Sequence, residues 1–391
     1  MNDHPPSRDG EPPHRDLPEL PEVPDAARLK ELAASQPRQL YVLAEQWCGD
    51  GAVSAVGVAA ALRAVRRIAV ALAATRSSEC AQLAADITGD LLPSGMQGRD
   101  DADEVRRAVA TELARTQHLT DLEPLFTHLP EETGAWALEV RACILGELAL
   151  IGAGSGRPTL DAYAQRLREL DHALAWLPRN RLDIEHRFTV RVRGLSPVKT
   201  PAQLRARLPE VPPTARGAEA GRAAHEVPAA GLAHAACAPF RAGGWSREPE
   251  ARFFSLPRPI GAADFGISFI KALPLASMEG EGRRRGEAIA CRTTADDVLN
   301  ALFSAAYHGG VDGHPQHGAY ARLHAWRSLY ALMDLPAETP FLDAAGQAAD
   351  HRWLRWMAFT DWFHHDTSDL AFAVLDPSRS RAAVLAATDT E

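Results

Sequence analysis

The hydrophobic period changes once along this chain, and that change constrains the fold more than any other feature. From Asp25 to about Leu177, apolar residues recur every three or four positions, the repeat of one helix face. Leu40, Leu43 and Trp47 share a face. Val58, Leu62, Val65, Ala69 and Leu72 form a seam, with Arg63, Arg66 and Arg67 off it. The stretch Asp101 to Gln117 opens with Asp101, Asp103 and Glu104, which suit the positive end of a helix. Trp136, Val140, Ile144, Leu148 and Ile151 repeat the pattern, and Thr159 is placed to cap a helix running to about Trp176. The breakers between these segments are short, which favours antiparallel neighbours. No fixed-period repeat is recognisable. The expectation is an all-helical domain over 25–186, either a bundle or an irregular helical array.

From Arg252 onward the pattern is mixed. Arg252–Leu256, Phe265–Leu273 and Glu287–Arg292 are short apolar runs bounded by Gly or Pro and read as strands. Helices are expected over Asp296–His308, Ala319–Met333 and Asp343–Phe363, the last stacking Trp353, Trp356, Phe359 and Phe363. Leu370–Leu375 and Ala382–Ala387, joined by Asp376-Pro377-Ser378-Arg379, read as a terminal β-hairpin. Both faces of both strands are apolar, which places the hairpin inside a covered sheet and leaves only about Asp389–Glu391 free. Residues 251–391 are therefore expected to be an α+β domain, a mixed sheet with packed helices.

Two segments lack either period. Residues 1–24 are rich in proline and acid, a composition that cannot offset the entropy of ordering, and are expected to be a disordered tail. Residues 187–250 read as a Pro/Arg-rich linker or long loop, with one strand at Phe188–Val192. In the first part of that stretch (187–222), Arg187, Arg191, Arg193, Lys199, Arg205, Arg207, Arg216 and Arg222 face only Glu210 and Glu219. No aromatic residues interleave this charge as a nucleic-acid stacking surface requires.

Composition narrows the function classes. At 391 residues the chain has room for roughly two to three domains. Its net charge of −9 disfavours nucleic acid as a partner, since that needs a basic face to displace counterions. The apolar runs Gly51–Leu62 and Val227–Phe240 fall short of the ~18 residues that a membrane span takes. No secretory signal opens the chain. Cys48, Cys80, Cys143, Cys237 and Cys291 contain no paired spacing, and read as reduced, buried thiols in the cytoplasm. Lysine occurs only at 30, 199 and 271, and this arginine bias, with abundant alanine, fits a GC-rich coding genome.

Few residues offer chemistry. Gly152-Ala153-Gly154-Ser155-Gly156-Arg157 is the nearest approach to a dinucleotide loop, but helical rather than strand periodicity precedes it, so it reads as an interhelical loop. His308, Asp312, His314 and His317 sit in one Gly-rich loop and are the candidate metal ligands, although their spacing matches no metal motif. His364, His365 and Asp366 are the candidate catalytic residues, a histidine base oriented by a carboxylate. The alternative for them is a favourable charge at a helix end. Trp326, Trp353, Trp356 and Trp362 read as core rather than as a ligand pocket, and Arg283-Arg284-Arg285 as an exposed loop.

Ala305–Gly310, Gly318-Ala319-Tyr320, Leu323–Leu332, Trp362-Phe363, Asp369-Leu370-Ala371 and Ala383–Thr390 together resemble an uncharacterised family of large cytoplasmic proteins from high-GC bacteria, a domain of unknown function. The resemblance is sharp over roughly the last 90 residues of the chain. It implies a cytoplasmic bacterial setting and carries no activity, cofactor or catalytic residue. The expected function is a noncatalytic protein-interaction or scaffold role, with another protein as partner and neither cofactor nor metal. The alternative is a hydrolytic or metal-assisted enzyme with its site near the His308–His317 loop and His364–Asp366.

Overall fold

The computed structural model of the protein describes residues 20–92, 100–127, 135–188, 201–279, 288–363 and 368–390. The helical period of the first half is realised as α1 (Ala26–Ser35), α2 (Pro37–Cys48), α3 (Asp50–Val56), α4 (Val58–Ala73), α5 (Ser78–Asp86), α6 (Asp100–Thr116), the one-turn α7 (Leu119–Leu122) and α8 (Pro124–Thr127), α9 (Ala135–Leu150) and α10 (Pro158–Glu169). Starts are fixed by local chemistry. The Asp25 carboxylate accepts from the Arg28 amide at 2.8 Å, and Ser77 accepts from Cys80, each meeting an amide that the first turn leaves without a partner. The α4 seam is fully buried at Leu62, Val65, Ala69 and Leu72. The helices pack as an array, α4 on α2 and α6, α6 on α9. The cap expected at Thr159 is two residues late: Arg157 is the N-cap and Pro158 the first helical residue. That helix also stops at Glu169, because Asp171 turns into the left-handed region at φ 52°.

The second half contains α11 (Pro201–Arg205), α12 (Ala215–Ala223), β1 (His225–Glu226), α13 (Ala230–Ala236), α14 (Ala238–Ala242), β2 (Glu250–Ser255), α15 (Ile267–Lys271), β3 (Ala288–Thr293), α16 (Ala295–His308), α17 (His317–Leu332), α18 (Phe341–Asp350), β4 (Arg352–Ala358), β5 (Ser368–Leu375) and β6 (Arg381–Asp389). The strands form one antiparallel sheet in the order β1-β2-β6-β5-β4-β3. The terminal hairpin thus sits at the centre, with β6 between β2 and β5.

Period-two alternation sorts the sheet's side chains onto two apolar faces. Phe253, Trp353, Phe372, Val374 and Leu385 join the large core shared with α16 and α17. Phe254, Trp356, Ala373, Leu375 and Val384 face Phe265, Phe269 and Ile270 around α15. The larger core runs unbroken from Leu29 in α1 to Ala387 in β6.

Three expectations about this half are corrected. Asp343–Phe363 is not one helix: α18 ends at Asp350, His351 turns to extended backbone, and β4 follows. The spacing of Trp353 and Trp356 suits a helix, yet here it puts them on opposite faces of a strand buried on both sides. Phe265–Leu273 is not a strand but carries α15, whose Ile267, Phe269 and Ile270 pack against the sheet.

Within the third, residues 187–250, the described part from 201 is folded. Its prolines and arginines cluster at helix ends, where they are favourable: Pro201 opens α11, and Arg205 and Arg222 lie in last turns. The Val211 amide bonds the Ala290 carbonyl at 2.8 Å and the Arg292 amide bonds the Pro209 carbonyl at 2.9 Å, which extends the sheet past β3. The strand expected beyond Phe188 and the Arg283-Arg284-Arg285 loop lie outside the described residues.

Candidate functional site

Charged side chains are costly inside an apolar interior unless their bonds are met. Three of those this fold buries, Glu147, Glu185 and Arg322, meet on α17. That helix begins at His317 with φ 53°, and Gln316 at its N-cap gives it no side-chain bond. The missing acceptor comes from α9. Glu147 Oε1 accepts from the amides of Gly318 (2.6 Å) and Ala319 (3.1 Å) and from the Thr111 hydroxyl of α6 (3.0 Å). Small residues permit the approach. A Cβ on Gly318 would lie 2.5 Å from Glu147 Oε2, and one on Gly146 would lie 2.6 Å from the Ala319 Cβ. One carboxyl therefore locks α6, α9 and α17 together.

Burial pushes the Glu147 carboxyl up to about 7, against the pull of its three donors and of Arg115. Around it, burial, aided by Arg66, Arg107 and His308, lowers His317 to about 3, and burial with Arg327 and Arg107 lowers His324 to about 3. The His317 Nε2 and His324 Nδ1 atoms are buried without hydrogen-bond partners, consistent with neutral rings. Burial opposes ionisation of Glu139. His172, at 3.0 Å, together with Tyr320 and Cys143 outweighs that and holds its carboxyl below the usual range. The Cys143 thiol itself is pushed up well above its ordinary value by burial beside Glu139, which makes it a poor nucleophile.

Arg107 closes the outer side. It donates to Gln316 Oε1 at 2.6 Å and lies over the Tyr320 ring at 4.5 Å. Gln316 Nε2 donates in turn to the Ala242 carbonyl at 2.5 Å.

Further along α17, Arg322 and Glu185 form a fully buried bidentate pair at 2.6 and 2.8 Å. Arg322 also donates to the carbonyls of Pro178 and Asn180, and Glu185 accepts from Trp326 Nε1 and the Leu182 amide. The connection after α10 is thereby fixed onto α17. The cavity beside Arg322, walled by Leu145, Leu167 and Leu177, holds about 20 Å³, space for one water at most. These groups hold helices together.

The sequence candidates fall around this layer. His308 ends α16 and His317 opens α17, close enough that the charge of one lowers the pKa of the other. Asp312 is exposed, and His314 Nδ1 sits on the rim, 3.6 Å from Asp101 and 3.7 Å from Glu104. Among the described residues, no three His, Cys, Asp or Glu side chains gather to hold a metal, these four included. His364, His365 and Asp366 lie outside the described residues.

Sequence reasoning missed Glu147, Arg107, Glu185 and Arg322. A signal existed for the first: Glu147 is seven residues beyond Val140, so the only acid in the second half of α9 falls on its apolar seam. Asp389, expected to be free, is 3% exposed. Its carboxylate accepts from the Ser246 amide at 2.8 Å and the Val311 amide at 2.7 Å, tying the His308–His317 loop to the sheet. Trp326, Trp353 and Trp356 are core as expected, and Trp362 is half-buried under Arg247. All five cysteines are buried and unpaired.

The Glu147 arrangement has a measurable pH signature. The folded carboxyl holds its proton more tightly than an unfolded one, whose ordinary pKa is 4.5. Its contribution to stability is complete below about pH 4.5 and declines as pH rises through about 7, by about 3 kcal/mol in all. His317 and His324 act in the opposite sense: folding holds them neutral, so their contribution is present above about 6.5 and is lost as pH falls toward 3. Glu147→Gln removes only the first effect. Thermal melts between pH 5 and 8 should show the variant gaining on the parent protein as pH rises. Parallel curves for the two proteins would count against the burial-raised carboxyl.

No helix among the described residues is long and apolar enough to cross a membrane. No curated protein and no solved structure matches the chain. A family model described as a family of unknown function (DUF6183) matches residues 27–391, which takes in both the helical array and the sheet. The chain, over nearly its whole length, belongs to that family of unknown function.

Proposed function

We propose that the protein acts by binding another protein, in the cytoplasm, rather than by catalysis. The observation that carries this reading is a groove of about 1080 Å³ at one corner of the sheet, away from the polar layer. It runs between the tip of the terminal hairpin, the start of α13, the end of α17 and the end of α18. Val227, Leu232, Met333 and Leu335 give it apolar walls, and Val227 is 43% exposed. The groove is concave and long enough to span four elements, which suits a short extended segment of another chain. Glu147, Glu185 and Arg322, by contrast, are engaged in holding helices. The five unpaired cysteines favour a reducing compartment.

Gly231 supplies the test. It lines the groove, and a Cβ there meets nothing within 4 Å. Gly231→Trp should obstruct the α13 side of the groove and leave the fold intact. Peptides selected against the purified protein from a displayed library are expected to lose binding to this variant, at an unchanged melting temperature. Selected peptides that bind the variant as well as the parent would remove the groove from the account.

A further inference from the structure

We propose that the groove takes a cationic peptide segment, one presenting Arg or Lys beside aliphatic side chains. This inference rests on the groove being the binding site. It is carried by the charge arranged over the apolar walls. Three carboxylates line the groove, Asp334, Asp350 and Asp376, against one guanidinium, Arg381. Arg381 is already paired with Asp334 at 2.6 Å.

Asp376 is kept ionised by its place in the hairpin turn. It accepts from the amides of Ser380 and Arg381 at 2.8 Å each, and, although burial opposes ionisation, these bonds and that of Ser378 lower its pKa. Asp350 is the exposed last residue of α18. The carboxyl ends of α17 and α18 both open on the groove at Leu332–Leu335 and Asp350–His351, and the negative end of a helix dipole adds to the carboxylates. His351, also on the lining, has its Nδ1 2.8 Å from the Gln347 carbonyl.

A Lys or Arg side chain matches such a surface in both its parts. Its aliphatic stem lies along apolar walls while its head reaches a carboxylate. A second copy of this chain is a poor occupant, since each copy carries a net charge of −9.

Three labelled peptides test the charge preference by fluorescence anisotropy on the full chain: one alternating leucine with arginine, and two with glutamine or glutamate in place of arginine. The arginine peptide should bind at least about tenfold more tightly than the glutamine peptide, with the glutamate peptide weakest, and the preference should shrink as salt rises. Asp350→Arg should reduce the advantage of the arginine peptide without changing the melting temperature, and Gly231→Trp should abolish binding of all three. If arginine and glutamine peptides bind equally and Gly231→Trp removes both, the groove is the site and the charge inference is wrong. If the arginine peptide binds best but ignores both substitutions, its charge is being read elsewhere on the surface, and both the inference and the groove reading fall.

Discussion

A chain truncated before Arg381 is expected not to fold. The deleted strand β6 is central, paired with β5 from Ala382 to Asp389 and with β2 from Arg381 to Ala386. Its loss opens both ladders and divides the sheet, leaving β1–β2 without connection to β5–β4–β3. Ala382–Ala387 are each 5% exposed or less and contribute to both cores. Every backbone group left buried and unpaired costs about 1–3 kcal/mol. A handful of them exceeds the ~5–15 kcal/mol that stabilises a typical domain. The variant should accumulate in inclusion bodies, or, if soluble, show no cooperative melt by circular dichroism. Soluble truncated protein with the parent's melting temperature would contradict this placement of β6.

The second large effect is expected at Arg322 and Glu185. Glu185→Gln keeps the shape and leaves the fully buried Arg322 guanidinium without its counter-charge. Breaking one side of a buried pair costs about 3–5 kcal/mol. Arg322→Met should cost as much, since Glu185 is then the stranded charge. The two losses should not add, because the double variant strands neither charge. The Arg381–Asp334 pair serves as a control at similar geometry. Its side chains are 69% and 46% exposed, and removing it should cost less than about 1 kcal/mol. Urea denaturation separates these outcomes. Costs for Arg322 and Glu185 as small as the control's would mean that the interior pair is hydrated.

Much of this architecture was legible in the sequence, for identifiable reasons. The α4 seam, the terminal hairpin and the start of α16 depend on local signals, namely period, turn residues and a Thr294 cap that accepts from Asp297. What was hidden depends on partners distant in sequence. Trp353 and Trp356 have helical spacing, and only pairing with β3 and β5 makes them strand residues. Asp389 reads as a frayed terminus until the amides of Ser246 and Val311 are brought to it. Residues 201–250 look like a linker because composition averages over short helices and the turns between them.

The polar layer was the least legible part. Glu185 and Arg322 lie 137 positions apart, and neither stands out from its neighbours as a charge that will be buried. The histidine-rich loop drew attention because histidines cluster there. In the fold, its tightest bonds are made instead by Gln316 and by the amides of Val311, Gly318 and Ala319. Among the described residues, those that look chemical and those that carry the polar layer are largely different sets.

Glu147 and the Arg322–Glu185 pair tie α17 to the helical array, and α17 packs in turn on the sheet, so the two halves are expected to open together. Native-state hydrogen exchange on Glu185→Gln, compared with the parent protein, tests it most directly. The account predicts that the slowest amides of α9 and those of β6 lose protection by the same free energy, equal to the stability lost in urea. Loss of protection confined to α9 and its neighbours, with β6 amides exchanging at the parental rate, would show that the halves open independently and would contradict the claim.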